Sequence, residues 1–331
     1  MKRIGFPIIL LVLICFSFVR HEKKWGFFGH KQINRMAVFT LPPDMVGFYK
    51  HHIDFITEHA VDPDKRRYAV DGEAARHYID IDHYSKNGSN PFEIVPKKWN
   101  AAIEKFTEDT LQAYGIVPWH IEVMTYRLTQ AFKEENPEKI LRISAEIGHY
   151  IGDAHVPLHT TENYNGQLTG QKGIHGFWES RIPELFSTEY NFFIGKAKYV
   201  KNVNEFSWEV VKESHYEVDS VLSFEKKLSS SFGPDKKYAY ENRGRVLTQV
   251  YSEDYSRQYS VSLNNMVERK MRKAIVAVGC IWYTAWINAG QPNLNKLVNL
   301  ELNDSTPTED DRNLDSAYVK GKSKGRNCEH D

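Results

Sequence analysis

Cysteine is scarce in this chain: three residues in 331. Cys15 lies in an N-terminal apolar run, Cys280 in a strongly apolar segment and Cys328 in a polar tail. Scattered in this way they supply neither a disulfide framework nor a thiolate zinc site. Net charge is absent too, because 43 basic residues balance 43 acidic ones. That excludes a strongly basic protein that coats nucleic acid, though not a locally charged cleft. Strand-like alternation is rare, and no internal repeat is visible. Apolar residues at 41% and charged residues at 26% suffice for a real core, so the chain is neither disordered nor collagen-like. Its length fits one large domain or two modest ones. What the sequence does have in quantity is histidine: 14 residues, most of them between positions 21 and 175.

The N-terminus reads as an export signal. Met1-Lys2-Arg3 forms a charged start, and Ile4 to Val19 forms an apolar run too short for an ordinary transmembrane helix. Export to the periplasm or the medium is the expectation, with anchoring by an uncleaved segment left open, as is the alternative of a buried N-terminal helix. Beyond it, helical periodicity predominates. Segments around 31–40, 43–59, 97–112, 118–135, 137–156, 204–225 and 263–288 are predicted helices, with irregular loops at 160–174 and 226–262. Pro137-Glu138 suits a helix start, and Gly290-Gln291-Pro292 suits a stop. From about 301 to 331 the polar, mixed-charge sequence cannot bury enough to fold. The predicted layout is a signal and spacer over 1–24, one all-α domain over 25–300 and a disordered tail over 301–331.

The informative stretch runs from His149 through Asp153, His155 and Pro157 to His159. His149 and Asp153 stand at i and i+4 and share a helix face. Pro157 bends or ends that helix, so His159 can turn toward a nearby point. His175 and Glu179 repeat the i, i+4 pairing. Neutral imidazole with carboxylate at this spacing is a ligand set for catalytic Zn²⁺. A single such pair would read as a core histidine or a surface ion pair; two pairs and His159 favour metal. Upstream, Trp25-Gly26-Phe27-Phe28-Gly29-His30, Asp62-Pro63-Asp64-Lys65-Arg66 and His77-Tyr78-Ile79-Asp80-Ile81-Asp82 add more ligands than one ion needs. A cluster of two or three metals follows.

In this order the motifs resemble the superfamily of zinc-dependent phospholipases C and single-strand-specific zinc nucleases, over residues 25 to 179. The resemblance implies an all-α fold with a three-zinc cleft. It implies that Asp62, His77, His149 and Asp153 hold one zinc, with Asp153 bridging to a second that His30 and the amine and carbonyl of Trp25 complete. His159, His175 and Glu179 match the third, and His155 matches a position that is not a ligand. In the family that Trp is the mature N-terminus. Here Trp25 follows Lys23-Lys24, so either a trypsin-like protease cuts after Lys24 or the site lacks its amine.

The expected chemistry is phosphodiester hydrolysis by a metal-activated water, with no obligate protein partner. Asp62 can also orient the water, and Lys65 or Arg66 can neutralise a phosphate oxygen; some nucleases of the family carry a cation at the Lys65 spacing. Asp80 or Asp82 is the expected outer partner of a ligating imidazole. In the nuclease branch, Tyr78 would stack a base and Asp80 would accept from its edge; the alternative for Tyr78 is core packing. The spacings from Trp25 to His30 and from Asp62 to His77 match the nuclease branch. Glu179, the short step from His159 to His175 and the lack of paired cysteines match the phospholipase branch. Phe28, Pro63 and Ala74 stand where a choline pocket would need acidic and aromatic residues. The balance favours a nuclease on single-stranded nucleic acid, then a phospholipase C, then a non-catalytic metal-binding scaffold.

Overall fold

The helix from Pro137 to Ala154 is the centre of the molecule, and its start follows from local chemistry. The Asn136 side chain accepts the backbone N–H of Lys139 at 3.0 Å, Pro137 occupies the first turn and Glu138 faces the positive end of the helix dipole. Its apolar stripe of Ile140, Leu141, Ala145 and Ile147 is buried, and from Ile147 to Ala154 every residue is buried. A helix enclosed all round must partner its polar side chains, and His149 and Asp153 lie in that stretch. The computed structural model describes residues 27–67, 69–85 and 88–299. The expected signal over 1–24, Trp25 and the tail over 301–331 lie outside the described residues.

Three helices enclose the central one: Phe27–Ala37, Val117–Lys133 and Met266–Asn288. Trp282 on the last of these stacks on Tyr49 of the Pro43–His51 helix, with ring centroids 4.8 Å apart, and donates its indole N–H to the Ser144 carbonyl at 3.0 Å. The Ser144 hydroxyl lies 2.8 Å from the Tyr49 hydroxyl. Burying a ring of this size contributes roughly 4–6 kcal/mol of transfer free energy at the usual area coefficient, provided its polar edge is satisfied, as here.

The helix Phe27–Ala37 approaches closely because the central helix presents glycine to it. A Cβ at Gly148 would stand 2.0 Å from the Oδ1 of Asn34, and one at Gly152 would stand 3.0 Å from the Nδ1 of His30. Asn34 and His30 are themselves one turn apart, so a small-residue groove receives them together. The Asn34 amide donates to the Ala145 carbonyl at 2.8 Å and pins the crossing. This contact delivers His30 to the end of the central helix.

The all-α expectation holds, with one correction. The segment 226–262 is not irregular: it contains a two-stranded antiparallel hairpin, Tyr238–Arg243 with Val246–Tyr251, followed by a helix from Glu253 to Ser262. The turn passes through Gly244 at φ 63°, a left-handed position suited to glycine. The first strand alternates in exposure and the second does so only in part, over a single surface ribbon that a search for core-facing strands passes over. Several predicted helices also divide. The segment 43–59 breaks at His52 and 97–112 breaks at Thr107, whose φ is 70°. The segment 204–225 becomes Val203–His215 and Val218–Ser231. Among the described residues, no helix is long and apolar enough to cross a membrane.

Candidate metal centre

Five other pieces of chain meet the C-terminal end of the central helix. That helix supplies His149 and Asp153. A tight turn from Ala74 to His77 supplies His77, and the one-turn helix Asp62–Arg66 supplies Asp64. After Pro157 a short 3₁₀ turn carries His159. His175 and Glu179 come from a segment in which a helical turn, Ile174–Gly176, passes into a π-helical turn over Phe177–Arg181. Such π turns are uncommon and concentrate at functional sites. The first helix adds His30.

The ligand atoms fall into groups within which all lie closer than 4.8 Å: His77, His149 and Asp153; His30, Asp64 and His149; His159, His175 and Glu179; and His30, Asp153 and Glu179. In the first, His77 Nδ1 lies 2.9 Å from Asp153 Oδ2 and 3.0 Å from His149 Nε2, and His149 Nε2 lies 3.2 Å from the same oxygen. Asp64 Oδ1 caps this set at 3.6 Å from His149 Nε2 and 3.8 Å from His77 Nδ1. In the third group the Nε2 atoms of His159 and His175 are 3.0 Å apart, with Glu179 Oε2 at 3.2 and 2.7 Å from them. Tetrahedral zinc with bonds of about 2.0–2.1 Å sets its ligand atoms about 3.3 Å apart, so both sets fit the ion.

The two carboxylates link the groups. Asp153 turns Oδ2 to His77 and His149 and Oδ1 to His30 at 3.4 Å. Glu179 turns Oε2 to His159 and His175 and Oε1 to His30 at 3.6 Å. Each carboxylate thus spans two neighbouring groups of candidate ligand atoms, Asp153 through His30 and Glu179 through the same ring.

Backbone carbonyls fix the imidazoles. The Nδ1 of His149 meets the Ala60 carbonyl at 2.9 Å, and the Nδ1 of His159 meets the His77 carbonyl at 2.7 Å. A carbonyl only accepts, so each Nδ1 carries the proton and each Nε2 keeps its lone pair for an ion. Charge is similarly poised. Burial alone would raise the carboxyl of Asp153, but His149, His159 and His30 hold it well below the usual range. Glu179 is likewise held well below it by His159, His175 and His30 against its burial. Both are therefore carboxylates, the protonation state a metal requires.

Several expected roles are corrected. The Asp62 carboxylate is not in these groups: its oxygens bind the ring of His59 at 2.5 Å and the Lys65 ammonium at 2.7 Å. Two residues along a helix rotate a side chain about 200°, so in Asp62-Pro63-Asp64 only one acid can face the cluster, and it is Asp64. Lys65 is half-exposed and held by Asp62. Arg66 is buried among Glu73, Glu146 and Tyr150 and is not available to a phosphate. Tyr78 is fully buried with its hydroxyl on the Ala113 carbonyl at 3.1 Å, so core packing, not base stacking, is its place. Asp80 is buried and near enough to Tyr84 to raise that phenol, after the larger effect of burial. Asp82 accepts from the Thr161 hydroxyl at 2.6 Å and the Glu162 amide at 3.0 Å, fastening the 161–173 loop. Asp82 is thus committed to that loop and not to a ligating imidazole. The acid that faces the far side of the His77 ring is Glu73, whose Oε1 lies 3.5 Å from His77 Nε2. Glu73 and His77 stand at i and i+4 in Glu73-Ala74-Ala75-Arg76-His77, the same signal that marked the other pairs. His155 is in none of these groups, and its Nδ1 lies 2.8 Å from the Ile151 carbonyl.

Residues 25–279 match the protein family described as S1/P1 Nuclease. Among solved structures, the chain is similar to the alpha-toxin of Clostridium perfringens isolated from avian strain SWCP, at 13% identity and TM-score 0.45, covering 81% of this chain and 65% of that one. It is also similar to the alpha toxin from Clostridium absonum, at 12% identity and TM-score 0.45, covering 79% and 64%. The chain thus spans a little under two thirds of the length of these toxins. No curated protein matches the sequence.

Proposed function

The chain belongs to the S1/P1 nuclease family, and from that premise we propose that it is an exported, zinc-dependent phosphodiesterase acting on single-stranded nucleic acid. The observation that supports this most is the convergence of His30, Asp64, His77, His149, Asp153, His159, His175 and Glu179 in one buried place. Bound zinc ions, two or three of them, would lower the pKa of a water and offset charge on the phosphoryl oxygens. The chain's own residues do the rest. His77, His149, Asp64 and Asp153 hold one ion; His159, His175 and Glu179 hold another; His30 with Asp153 and Glu179 frames the position between them. Trp25, an expected ligand by resemblance, lies outside the described residues. Asp153, tied to both neighbouring positions, keeps their spacing. Lys65, fixed by Asp62 at 2.7 Å and half-exposed, is the cation we assign to the substrate phosphate.

The test is hydrolysis by the zinc-loaded protein. Release of acid-soluble nucleotides from denatured DNA or RNA, lost in Asp153→Asn, is the expected result. Glu179 in place of the Asp of the nuclease branch favours a second reading, a phospholipase C. Release of a phosphorylated head group from phospholipid vesicles, with nucleic acid untouched, would establish that reading instead. Zinc binding without either hydrolysis would leave a scaffold. The apolar run from Ile4 to Val19 supports export.

A further inference from the structure

We propose that Glu73 is a positioning residue of the metal centre: its buried carboxylate receives the Nε2–H of His77 and so turns the Nδ1 lone pair of that ring toward Asp64, His149 and Asp153. The inference rests on the zinc reading above but concerns residues that bind no ion themselves.

The geometry leaves His77 one useful arrangement. Its Nδ1 is the atom in the cluster, 2.9 Å from Asp153 and 3.0 Å from His149. Its Nε2, across the ring, is buried with no hydrogen-bond partner, and the carboxylate oxygen facing it is Glu73 Oε1 at 3.5 Å, at the outer limit for such a bond. A proton on Nδ1 would block the ligand atom, so the ring must carry it on Nε2, where Glu73 is the acceptor at hand. His149 and His159 have neutral backbone carbonyls in the same role; His77 alone of these three has a carboxylate. A charged acceptor makes the ring more basic and a stronger donor to metal.

Glu73 is built to stay charged and still. Its residue is completely buried. Oε2 accepts from Arg66 Nε at 3.0 Å and Arg76 Nη1 at 2.8 Å, and Oε1 accepts the Tyr150 hydroxyl. Arg66 is in turn held by Glu146 at 2.7 Å and by the Tyr150 hydroxyl at 3.1 Å. Tyr150 follows His149 on the central helix, and Arg66 follows Asp64 by two residues. The network therefore ties three ligand-bearing segments together behind the ions, and Glu73 is its hub.

The experiment uses the full chain loaded with zinc. Long-range ¹⁵N–¹H spectra assign the tautomer of each histidine, and His77 is expected to carry its proton on Nε2. A His77 protonated on Nδ1 in the zinc-loaded protein would overturn the proposal whatever any variant does. Competition with a chromophoric chelator then measures each class of zinc site in the parent, in Glu73→Gln and in Tyr150→Phe. Glu73→Gln is expected to weaken one class by roughly 10–100-fold and to leave the class of His159, His175 and Glu179 within about threefold. Tyr150→Phe loosens the same network but keeps the carboxylate and is expected to cost less than Glu73→Gln at that class. Equal weakening of all classes, or equal losses in the two variants, assigns Glu73 to the fold and ends the proposal. A parent protein that takes up no zinc refutes the metal reading itself, an outcome distinct from zinc bound with no selective change.

Discussion

Gly148→Ala is the substitution with the largest consequence per atom added. In an exposed helix it would stabilise, because alanine exceeds glycine in helix propensity by about 1 kcal/mol. Here the new methyl would lie 2.0 Å from Asn34 Oδ1 and 2.8 Å from its Cγ. Asn34 has no exposed surface and donates to the Ala145 carbonyl at 2.8 Å and the Ile56 carbonyl at 3.4 Å, so it cannot swing into solvent. The overpacking costs about 1–3 kcal/mol. Losing the buried hydrogen bond costs about 1–3 kcal/mol more. With the propensity gain subtracted, the net loss is about 3 kcal/mol, or roughly 5 °C in melting temperature at about 2.1 cal/mol/K of unfolding entropy per residue over a domain of this size. Thermal unfolding in a chelator measures it free of zinc. The same shift moves His30, one turn before Asn34, away from Asp153 and Glu179, so zinc stoichiometry should fall as well. Asn34→Ala in the Gly148→Ala background should recover part of the loss, giving a coupling of at least about 1 kcal/mol between the two sites. A Gly148→Ala protein as stable as the parent would refute the close crossing of these helices and the delivery of His30 that depends on it.

Other outcomes follow from the same geometry. Asp64→Asn should lower bound zinc, whereas Asp62→Asn should leave zinc content unchanged and alter only the binding of substrate through Lys65; the reverse pattern, read by metal analysis after dialysis, would return the ligand role to Asp62. Tyr78→Phe removes a hydroxyl bonded to the Ala113 carbonyl and should cost about 1 kcal/mol of stability without changing base preference among homopolymer substrates. In the metal-free protein burial pushes His30 down, but Asp153 and Glu179 reverse that and hold it well above its ordinary value of 6.5. His77 is raised too, against burial and Arg67, by Asp153 and Glu73. Groups raised on folding contribute stability that is full below about pH 6.5 and is lost as pH rises through their folded values. The metal-free protein should therefore lose stability above pH 6.5, while zinc uptake should release protons and tighten with rising pH. Calorimetry in buffers of different ionisation enthalpy reads the protons, and an affinity flat from about pH 6 to 8 would contradict the assignment.

The helices were legible where one face repeats. Pro137–Ala154 and Met266–Asn288 declare themselves by long apolar stripes with a capping asparagine or a stopping glycine. The breaks at His52 and Thr107 did not, because no residue there forbids a helix and tertiary packing decides. The hairpin was missed for a related reason: a ribbon with much of its surface in solvent lacks the apolar alternation that betrays a core strand. The groove of Gly148 and Gly152 was equally hidden, since a glycine inside a helix reads as weakness until its neighbour is known.

The metal site divides along the same line. Candidate ligands that are neighbours on one helix turn, His149 with Asp153 and His175 with Glu179, can be found by counting residues, because spacing alone makes their atoms converge. Asp64 could not be separated from Asp62 by counting, since both flank one proline and only the orientation of a five-residue helix against the central one chooses between them. Glu73 lay in reach of the counting rule, four residues before His77, and was passed over because the chain there is not a long helix. Its i, i+4 relation survives in a tight turn because Arg66 and Arg76 draw the carboxylate back under the ring. A buried acid held by two arginines is expensive to assemble for packing alone, since well-fitted apolar side chains serve as well or better. Its place behind a ligating imidazole gives it a use that apolar side chains cannot supply, which is to choose the nitrogen that bears the proton.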